Sequence, residues 1–171
     1  MGTLGRMGAL AGASATLGAL LIGMPAAHGA SAVAHCGNAE LRASWRYDNT
    51  AAGHTIGYIV LRNASAHACV TGGYDGLSYV GFGNGTQVGA AAVRSGGRVA
   101  SYVLAPGQRL QSLVSETSAR LYSPSTCWPY RADGFRVYVP NATRSQYVPH
   151  RTTGCLNGHV QLLSHEPYGR P

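Results

Sequence analysis

The run HTIGYIVL at residues 54–61 decides the fold class of this chain. It concentrates β-branched and aromatic residues, which favour the pleated backbone of a strand. In the preceding segment, Leu41, Ala43, Trp45 and Tyr47 alternate with mostly polar neighbours. A period of two places the alternating residues on one face of a strand, whereas a helix would repeat every three to four residues. Both segments are therefore predicted to be strands.

The rest of the chain shows the same short periods between turn signals. The strand predicted at residues 77–82 precedes Asn84-Gly85, the pair that a two-residue type I′ hairpin turn favours, and residues 87–93 would be its partner strand. Pro106-Gly107 predicts a type II turn and a second hairpin. We expect an all-β, antiparallel, immunoglobulin-like β-sandwich of about seven to nine strands with two disulfides. Further strands are predicted at residues 99–104, 110–114, 135–139 and 159–163, and a helical turn is conceivable only at 115–121.

Residues 1–34 are predicted to be a secretory signal peptide, and residues 35–171 the exported domain. Arg6 is followed by a weakly apolar run, a break at Pro25, and small residues that fit signal-peptidase sites at 30–32 and 32–34. A membrane anchor is the main alternative, but the run is rich in Gly, Ala, Ser and Thr. We expect a secreted, extracellular protein with no transmembrane span after signal removal. A more specific interpretation is that the secreted protein is associated with the cell wall.

Four cysteines, all downstream of the signal, indicate a disulfide framework because their number is even and the chain is short and exported. Three pairings are possible. Neighbour pairing closes the shortest loops, so we expect Cys36 to bond Cys69 and Cys127 to bond Cys155. No C-x-x-C spacing is present, which argues against a thioredoxin-like or zinc-binding motif.

The chain has a net positive charge, and all of its basic residues other than histidine are arginines. All 13 basic residues are Arg, and the abundance of Ala and Gly fits a GC-rich genome, for which we expect an actinobacterial source. The predicted exported domain keeps 12 arginines against six acidic residues, a net charge of +6. Outside a cell this favours an anionic envelope polymer or a surface protein as partner, not nucleic acid. The plainer alternative is that arginine only solubilises the surface.

The order of the motifs resembles the DUF4232 domain family of actinobacterial exported proteins. Cys36, Ala52-Gly53-His54, and Asn63-Ala64-Ser65 followed by Cys69 come first. The resemblance implies a secreted or envelope β-sandwich and supplies no catalytic residues, because no activity is established for the family. The later motifs that carry it are Gly73-Tyr74-Asp75-Gly76, Ala105-Pro106-Gly107, Cys127-Trp128-Pro129, residues 135–140 (FRVYVP) and Cys155.

Catalytic and metal-binding patterns are weak in the sequence. The segment at residues 76–81 superficially matches a nucleophile elbow, but the G-x-S-x-G spacing and the following helix are missing. His67 and Cys69 could form a metal-binding pair, yet Cys69 is assigned to a disulfide. We therefore expect a protein that is not an enzyme and has no metal site or cofactor. A hydrolase is the less favoured alternative.

Two functional classes remain open. In the first, a binding module presents Tyr- and Trp-containing loops at one end of the sandwich, with Tyr74, Asp75, Trp128 and Tyr130 as candidate ligand contacts. For Trp128 the alternative is packing over the Cys127 bridge as core. In the second, a structural envelope protein has no dedicated ligand site. If the loops make the contact, Arg131, Arg144 and Arg151 should matter more than the strand residues Arg42, Arg46, Arg62 and Arg136. The sequence indicates no oligomeric state.

Overall fold

The structure of the protein is a computed structural model that describes residues 1–2 and 32–171. Residues 32–171 form a compact unit. The predicted signal peptide falls almost entirely outside the described residues and stays a prediction. Within the described part, no helix has the length and apolar character needed to cross a membrane.

Strands make up nearly all of the regular secondary structure in residues 32–171. The only helical segments there are a 3₁₀ turn and a single α-helical turn, α1. The strands are β1 (Leu41–Ala51), β2 (His54–Asn63), β3 (Cys69–Gly72), β4 (Gly76–Gly81), β5 (Thr86–Val88), β6 (Val93–Arg94), β7 (Ser101–Leu104), β8 (Arg109–Thr117), β9 (Pro129–Tyr138), β10 (Gln146–Cys155) and β11 (Leu163–His165); the 3₁₀ turn spans Ala119–Leu121 and α1 spans Pro124–Cys127.

The strands form two larger sheets and a small third one. The five-stranded sheet has the order β1-β2-β8-β11-β6, and the four-stranded sheet has the order β10-β9-β4-β5. Strands β3 and β7 pair as a separate ribbon. Neighbouring strands run antiparallel except β11 and β6, which are parallel. The all-β, mainly antiparallel architecture expected from the sequence is confirmed, and the immunoglobulin-like topology stays a prediction.

The two larger sheets share one apolar core. Ile59, Leu61 and Val114 of the five-stranded sheet belong to the same buried cluster as Phe135 and Val148 of the four-stranded sheet. Strands β2 and β8 bury every second side chain there, and the intervening residues are more exposed. This alternation is the physical reason for the period of two in the sequence.

Gly57 shows how tightly β1 and β2 are matched. A Cβ atom at this position would collide with the Trp45 ring and would lie 2.7 Å from the carbonyl oxygen of Arg46. The glycine interrupts a run of large side chains because the Trp45 ring occupies the space that a side chain would need. The ring itself packs inward, with its centroid 5.2 Å from that of Phe135.

Two disulfides and one glutamine tie the elements together. Cys36 bonds Cys69 and Cys127 bonds Cys155, so the neighbour pairing predicted from the sequence is the one found. The closed loops have sequence separations of 33 and 28, for which restriction of the unfolded chain contributes about 3 kcal/mol each.

Gln146 of β10 connects that strand to β1. Its side chain accepts a hydrogen bond from the N–H of Ala43 and donates one to the carbonyl oxygen of Leu41, both at 2.9 Å.

The hairpin after β4 differs from the one predicted. Its last strand pair is Gly81 with Thr86, so the loop has four residues and not two. Positive φ angles occur at Phe82 (61°), Gly83 (68°) and Gly85 (80°), whereas Asn84 is not among the residues with positive φ. The predicted type I′ turn at Asn84-Gly85 is therefore wrong. The first residue of the four-residue loop, Phe82, stacks its ring on Tyr130 at a centroid distance of 4.2 Å.

The predicted second hairpin is also wrong. Strand β7 pairs with β3, whereas β8 pairs with β2 and β11. The turn at Pro106-Gly107 therefore carries the chain from one sheet to another. Strand β10 was missed because its sequence, QYVPHRTTGC, is polar and contains a proline.

The remaining strands differ from the predicted ones only in where they begin or end. Strand β5 covers only the start of the predicted partner strand at 87–93, and β11 begins where the strand predicted at 159–163 was to end. The segment at 115–121 continues β8 to Thr117 before the 3₁₀ turn.

Candidate functional site

The loop residues proposed from the sequence do not lie together. Gly76, at the start of β4, pairs with Tyr138 at the end of β9. Gly81, at the end of β4, pairs with Ala132 near the start of β9. Tyr74 and Asp75 therefore lie at one end of the four-stranded sheet, and Trp128 and Tyr130 lie at the other. The expectation of a single loop surface built from these four residues is corrected by the antiparallel register.

Asp75 lies in the interior and is not available to a ligand. Its side chain is fully buried, with Oδ2 accepting a hydrogen bond of 2.6 Å from the Tyr168 hydroxyl. Its Oδ1 lies 2.6 Å from Nδ1 of the equally buried His165, although the two atoms are not aligned for a hydrogen bond. The candidate ligand contact is thus a structural carboxylate, because a buried charge must be compensated by polar partners. Tyr74 caps this group edge-on, with a centroid distance of 5.5 Å to His165.

Trp128 and Tyr130 occupy different environments. Trp128 is the C-cap of α1, with a φ of 51°, and its side chain is exposed. It does not cover the disulfide as core. Tyr130 is half-buried against Phe82, and those two stacked rings form a small aromatic surface.

A second buried polar cluster joins the two larger sheets. Glu116 of β8 accepts hydrogen bonds on Oε2 from the Tyr79 hydroxyl at 2.6 Å and from His150 Nε2 at 2.9 Å. The His150 ring is held in turn between aromatic neighbours, stacked on Phe135 at 4.7 Å and tilted against Trp45 at 4.9 Å. Burial, reinforced by the Glu116 carboxylate, raises the pKa of Tyr79. The cluster therefore holds the hydroxyl proton in place and acts as a polar tie between the sheets.

A polar cleft of about 270 Å³ opens beside Glu116. Thr55, Thr117, Thr152 and Arg120 are among the residues that line it. Oε1 of Glu116 is buried without a hydrogen-bond partner among the described residues. Nothing local in the sequence marks Glu116 as a buried residue, because its burial depends on the pairing of β8 with β2.

Three arginines stand side by side on the outer face of the five-stranded sheet. Arg42 of β1 pairs with Arg62 of β2, and Arg62 pairs with Arg109 of β8. All three are exposed. Neighbouring strands lie about 4.8 Å apart, so the three side chains leave the sheet within a span of roughly 10 Å. We refer to Arg42, Arg62 and Arg109 as the arginine row.

The arginine row has no acidic counterpart in the described part of the chain. Salt bridges there involve other basic residues, such as Arg46 with Asp48 at 3.7 Å and Arg131 with Asp133 at 4.0 Å. The Arg42 guanidinium donates to two backbone carbonyl oxygens, of Ala39 and Leu41, at 3.2 Å each. A shallow cleft of about 300 Å³ lies among the arginine row, Ser44, Arg46 and Val60. Like charges directly opposite one another destabilise a sheet. An anion bound among the three guanidinium groups would offset this repulsion.

Sequence reasoning missed the arginine row. Its members are 20 and 47 positions apart in the chain, so the charges looked scattered. The signal that could have found them is strand register: once β1, β2 and β8 are paired, residues 42, 62 and 109 fall on one line.

Metal ligands are not grouped in the described ranges, 1–2 and 32–171, where no cluster of three or more His, Cys, Asp or Glu side chains occurs. His67 instead lies 2.5 Å from Glu40, and its neighbour Cys69 is in a disulfide. The hydrogen bond that the Gly37 N–H donates to Glu40 is the main reason that the pKa of Glu40 is lowered. The hydrogen bond to His67 lowers that pKa further.

Comparison with known proteins gives a family without an assigned role. No curated protein matches the chain, and no solved structure matches it. The model of one family, described as a domain of unknown function, matches residues 36–166. That range contains all four cysteines, the arginine row and both buried carboxylate clusters except Tyr168. The chain therefore belongs to the DUF4232 family.

Proposed function

We propose that the domain is an exported, non-enzymatic binding module that holds an anionic polymer of the cell envelope across Arg42, Arg62 and Arg109. The observation that carries the proposal is the register that places these three exposed arginines opposite one another without a carboxylate partner. Two disulfides support the extracellular location because such bonds persist in oxidising compartments.

The chemistry of the arginine row suits a chain of anions better than a single ion. Each guanidinium presents a planar fork that matches phosphate or carboxylate oxygens bidentately, and it gives up water more readily than an ammonium does. A line of about 10 Å across three strands can contact successive anionic groups of a polymer. In this proposal the arginine row carries the contact, and not Arg131, Arg144 and Arg151. Of those three residues, which the sequence placed in loops, only Arg144 lies in a loop, because Arg131 belongs to β9 and Arg151 to β10.

The test is a titration of the purified domain, residues 35–171, with fluorescently labelled polyphosphate and poly-glutamate at several salt concentrations. We expect binding that weakens as salt rises, since exposed charges are screened beyond about 8 Å at physiological ionic strength. Arg62→Thr should weaken binding about three- to fivefold, corresponding to roughly 0.6–1 kcal/mol for an exposed ion pair. The triple substitution of the arginine row should abolish measurable binding.

The matched control is Arg144→Thr, which removes the same charge from an exposed loop. If Arg144→Thr weakens binding as much as Arg62→Thr does, net charge and not the arginine row is responsible. If neither polymer binds at low salt, the domain is better described as a structural envelope protein. Turnover of an ester, glycan or peptide substrate would overturn the non-enzymatic part.

A further inference from the structure

The outer face of the four-stranded sheet carries a tyrosine ring that is exposed and held rigidly. Tyr147 of β10 pairs with Arg136 of β9, whereas the adjacent pair, Val148 with Phe135, points into the core. The Tyr147 side chain is 57% exposed. One face of its ring lies on Gly134, where a Cβ atom would be 2.6 Å from Cε2 of the ring. The glycine is thus the reason that the ring can lie flat against the sheet.

The tip of the ring is fixed as well. The Tyr147 hydroxyl donates a hydrogen bond of 2.9 Å to the carbonyl oxygen of Asp133. Asp133 is itself placed by its Oδ2, which accepts from the N–H of Gly83 at 3.0 Å. With the hydroxyl bonded and one face covered, the other face of the ring remains available to a ligand at little cost in side-chain entropy.

Concave surfaces flank the ring on both sides. A cleft of about 550 Å³ is lined by Tyr147, Asp133, Arg151 and the loop at Gly83–Gly85. A second cleft of about 240 Å³ includes Arg136 and shares Tyr147 and Asn84 with the first. Val80, which is buried, lies at the base of both. The volume of the larger cleft is in the range that small-molecule sites occupy.

We propose that this surface binds a glycan, with one pyranose ring stacked on the free face of Tyr147. The axial C–H groups of a pyranose form a flat apolar patch that packs on an aromatic face, and its equatorial hydroxyls both donate and accept hydrogen bonds. Asp133 can accept, Arg151 can donate, and Asn84 can do both. A protein partner would be expected to use several aromatic anchors in a closed apolar patch, whereas a single rigid ring among planar polar groups fits a sugar.

The site is separate from the arginine row. The row lies on the outer face of the five-stranded sheet, whereas Tyr147 lies on the outer face of the four-stranded sheet, and the shared core lies between them. The glycan proposal therefore does not depend on the anion-binding proposal.

The test is saturation-transfer NMR of the domain with soluble pyranose oligomers: cello-, chito-, manno- and galacturono-oligosaccharides. We expect at least one of them to receive saturation from the protein and to shift the Tyr147 ring resonances. Tyr147→Ala should weaken that binding at least tenfold. Tyr147→Phe keeps the ring on Gly134 and should stay within about threefold of the original affinity, a loss below 0.7 kcal/mol.

The matched control is Tyr47→Ala, which removes a tyrosine of the same exposed fraction, 57%, from β1 of the other sheet. It should leave glycan binding unchanged. The proposal is overturned if no oligomer binds at millimolar concentration, if Tyr147→Ala binds as the original domain does, or if Tyr47→Ala causes the same loss. Capture of a defined surface protein that depends on Tyr147 in the absence of any sugar would also count against it.

Discussion

Tyr79 and Tyr168 are buried tyrosines whose hydroxyls each donate to a buried carboxylate. Tyr79 donates to Glu116 and Tyr168 donates to Asp75, at 2.6 Å in both cases. Burial, and secondarily the neighbouring negative charge, raises the pKa of both phenols. Ionisation of either phenol in the folded domain is strongly disfavoured, because a phenolate there would be desolvated beside a carboxylate.

The stability of the domain should consequently fall at alkaline pH. A tyrosine in the unfolded chain ionises near pH 10, whereas these two keep their protons in the folded state. The stabilisation is fully present below pH of about 10 and is lost as pH rises above it, because the unfolded state then binds fewer protons than the folded state. Chemical unfolding at several values between about pH 8 and pH 11 measures how the free energy of unfolding falls with pH.

The controls for this prediction are Tyr79→Phe and Tyr168→Phe. Each should cost about 1–2 kcal/mol at neutral pH, since a carboxylate loses a donor, and each should make the alkaline decline less steep. An alkaline slope identical in both variants and the original domain would contradict the role given to the two phenols.

Glu116 should be among the most sensitive residues of the interior. Glu116→Ala removes the acceptor shared by Tyr79 and His150 and leaves one buried and one partly buried donor without a partner. We expect a loss of about 3 kcal/mol in the free energy of unfolding. Urea denaturation measures it, and Asp48→Ala, at an exposed acid, should change stability by less than about 0.5 kcal/mol. Comparable losses in the two variants would show that the buried cluster does not tie the sheets together.

At the scale of the elements, the faces of the strands were readable from the sequence and their partners were not. The alternation in residues 41–47 correctly separates buried Leu41 from exposed Arg42. The same reasoning could not pair β7 with β3, because pairing depends on contacts between residues distant in the chain. The turn at Pro106-Gly107 looks alike whether it closes a hairpin or links two sheets.

The candidate site was hidden for the same reason. The composition predicted a basic surface, but only the pairing of three strands creates the arginine row. Asp75, chosen because it follows a tyrosine in a glycine-rich turn, is drawn inward by Tyr168 and His165, which lie about 90 positions later. A local pattern cannot show a compensating partner at that separation.

The arginine row should cost the domain stability while it serves binding. Arg62 stands between two like charges, and Arg62→Thr replaces it with a β-branched residue that suits a strand. At low salt we expect the variant to be more stable by about 0.5 kcal/mol, with a smaller gain at high salt because screening already reduces the repulsion. Thermal unfolding at two salt concentrations checks this, and a loss of stability at low salt would show that the row is not under electrostatic strain.

At the scale of the whole molecule, export is the condition for both proposed ligands. The prediction rests on Arg6, the apolar run after it and the small residues near 30–34. N-terminal sequencing of the protein recovered outside the cell should begin at residue 33 or 35, after cleavage at one of the two A-x-A sites. A mature protein that begins at Met1, or one retained with its signal in the membrane, would contradict this.

The two outer faces of the domain should bind their ligands independently. The arginine row and Tyr147 lie on opposite outer faces of two packed sheets, about 10 Å between the sheet planes. No described hydrogen bond joins their side chains directly, although Gln146, next to Tyr147, bonds the backbone of Leu41 and Ala43 on either side of Arg42. Arg62→Thr should therefore weaken polyphosphate binding and leave oligosaccharide binding unchanged, and Tyr147→Ala should do the reverse. In the double variant each affinity should equal that of the matching single variant within about 0.5 kcal/mol, the limit for distant sites. Isothermal titration of the original domain, the two single variants and the double variant with each probe measures these affinities.

A larger coupling would mean that the two ligands compete for one surface or act through a shared rearrangement. Independent binding would let one domain hold an anionic polymer on one side and a glycan on the other, and so link two components of the envelope.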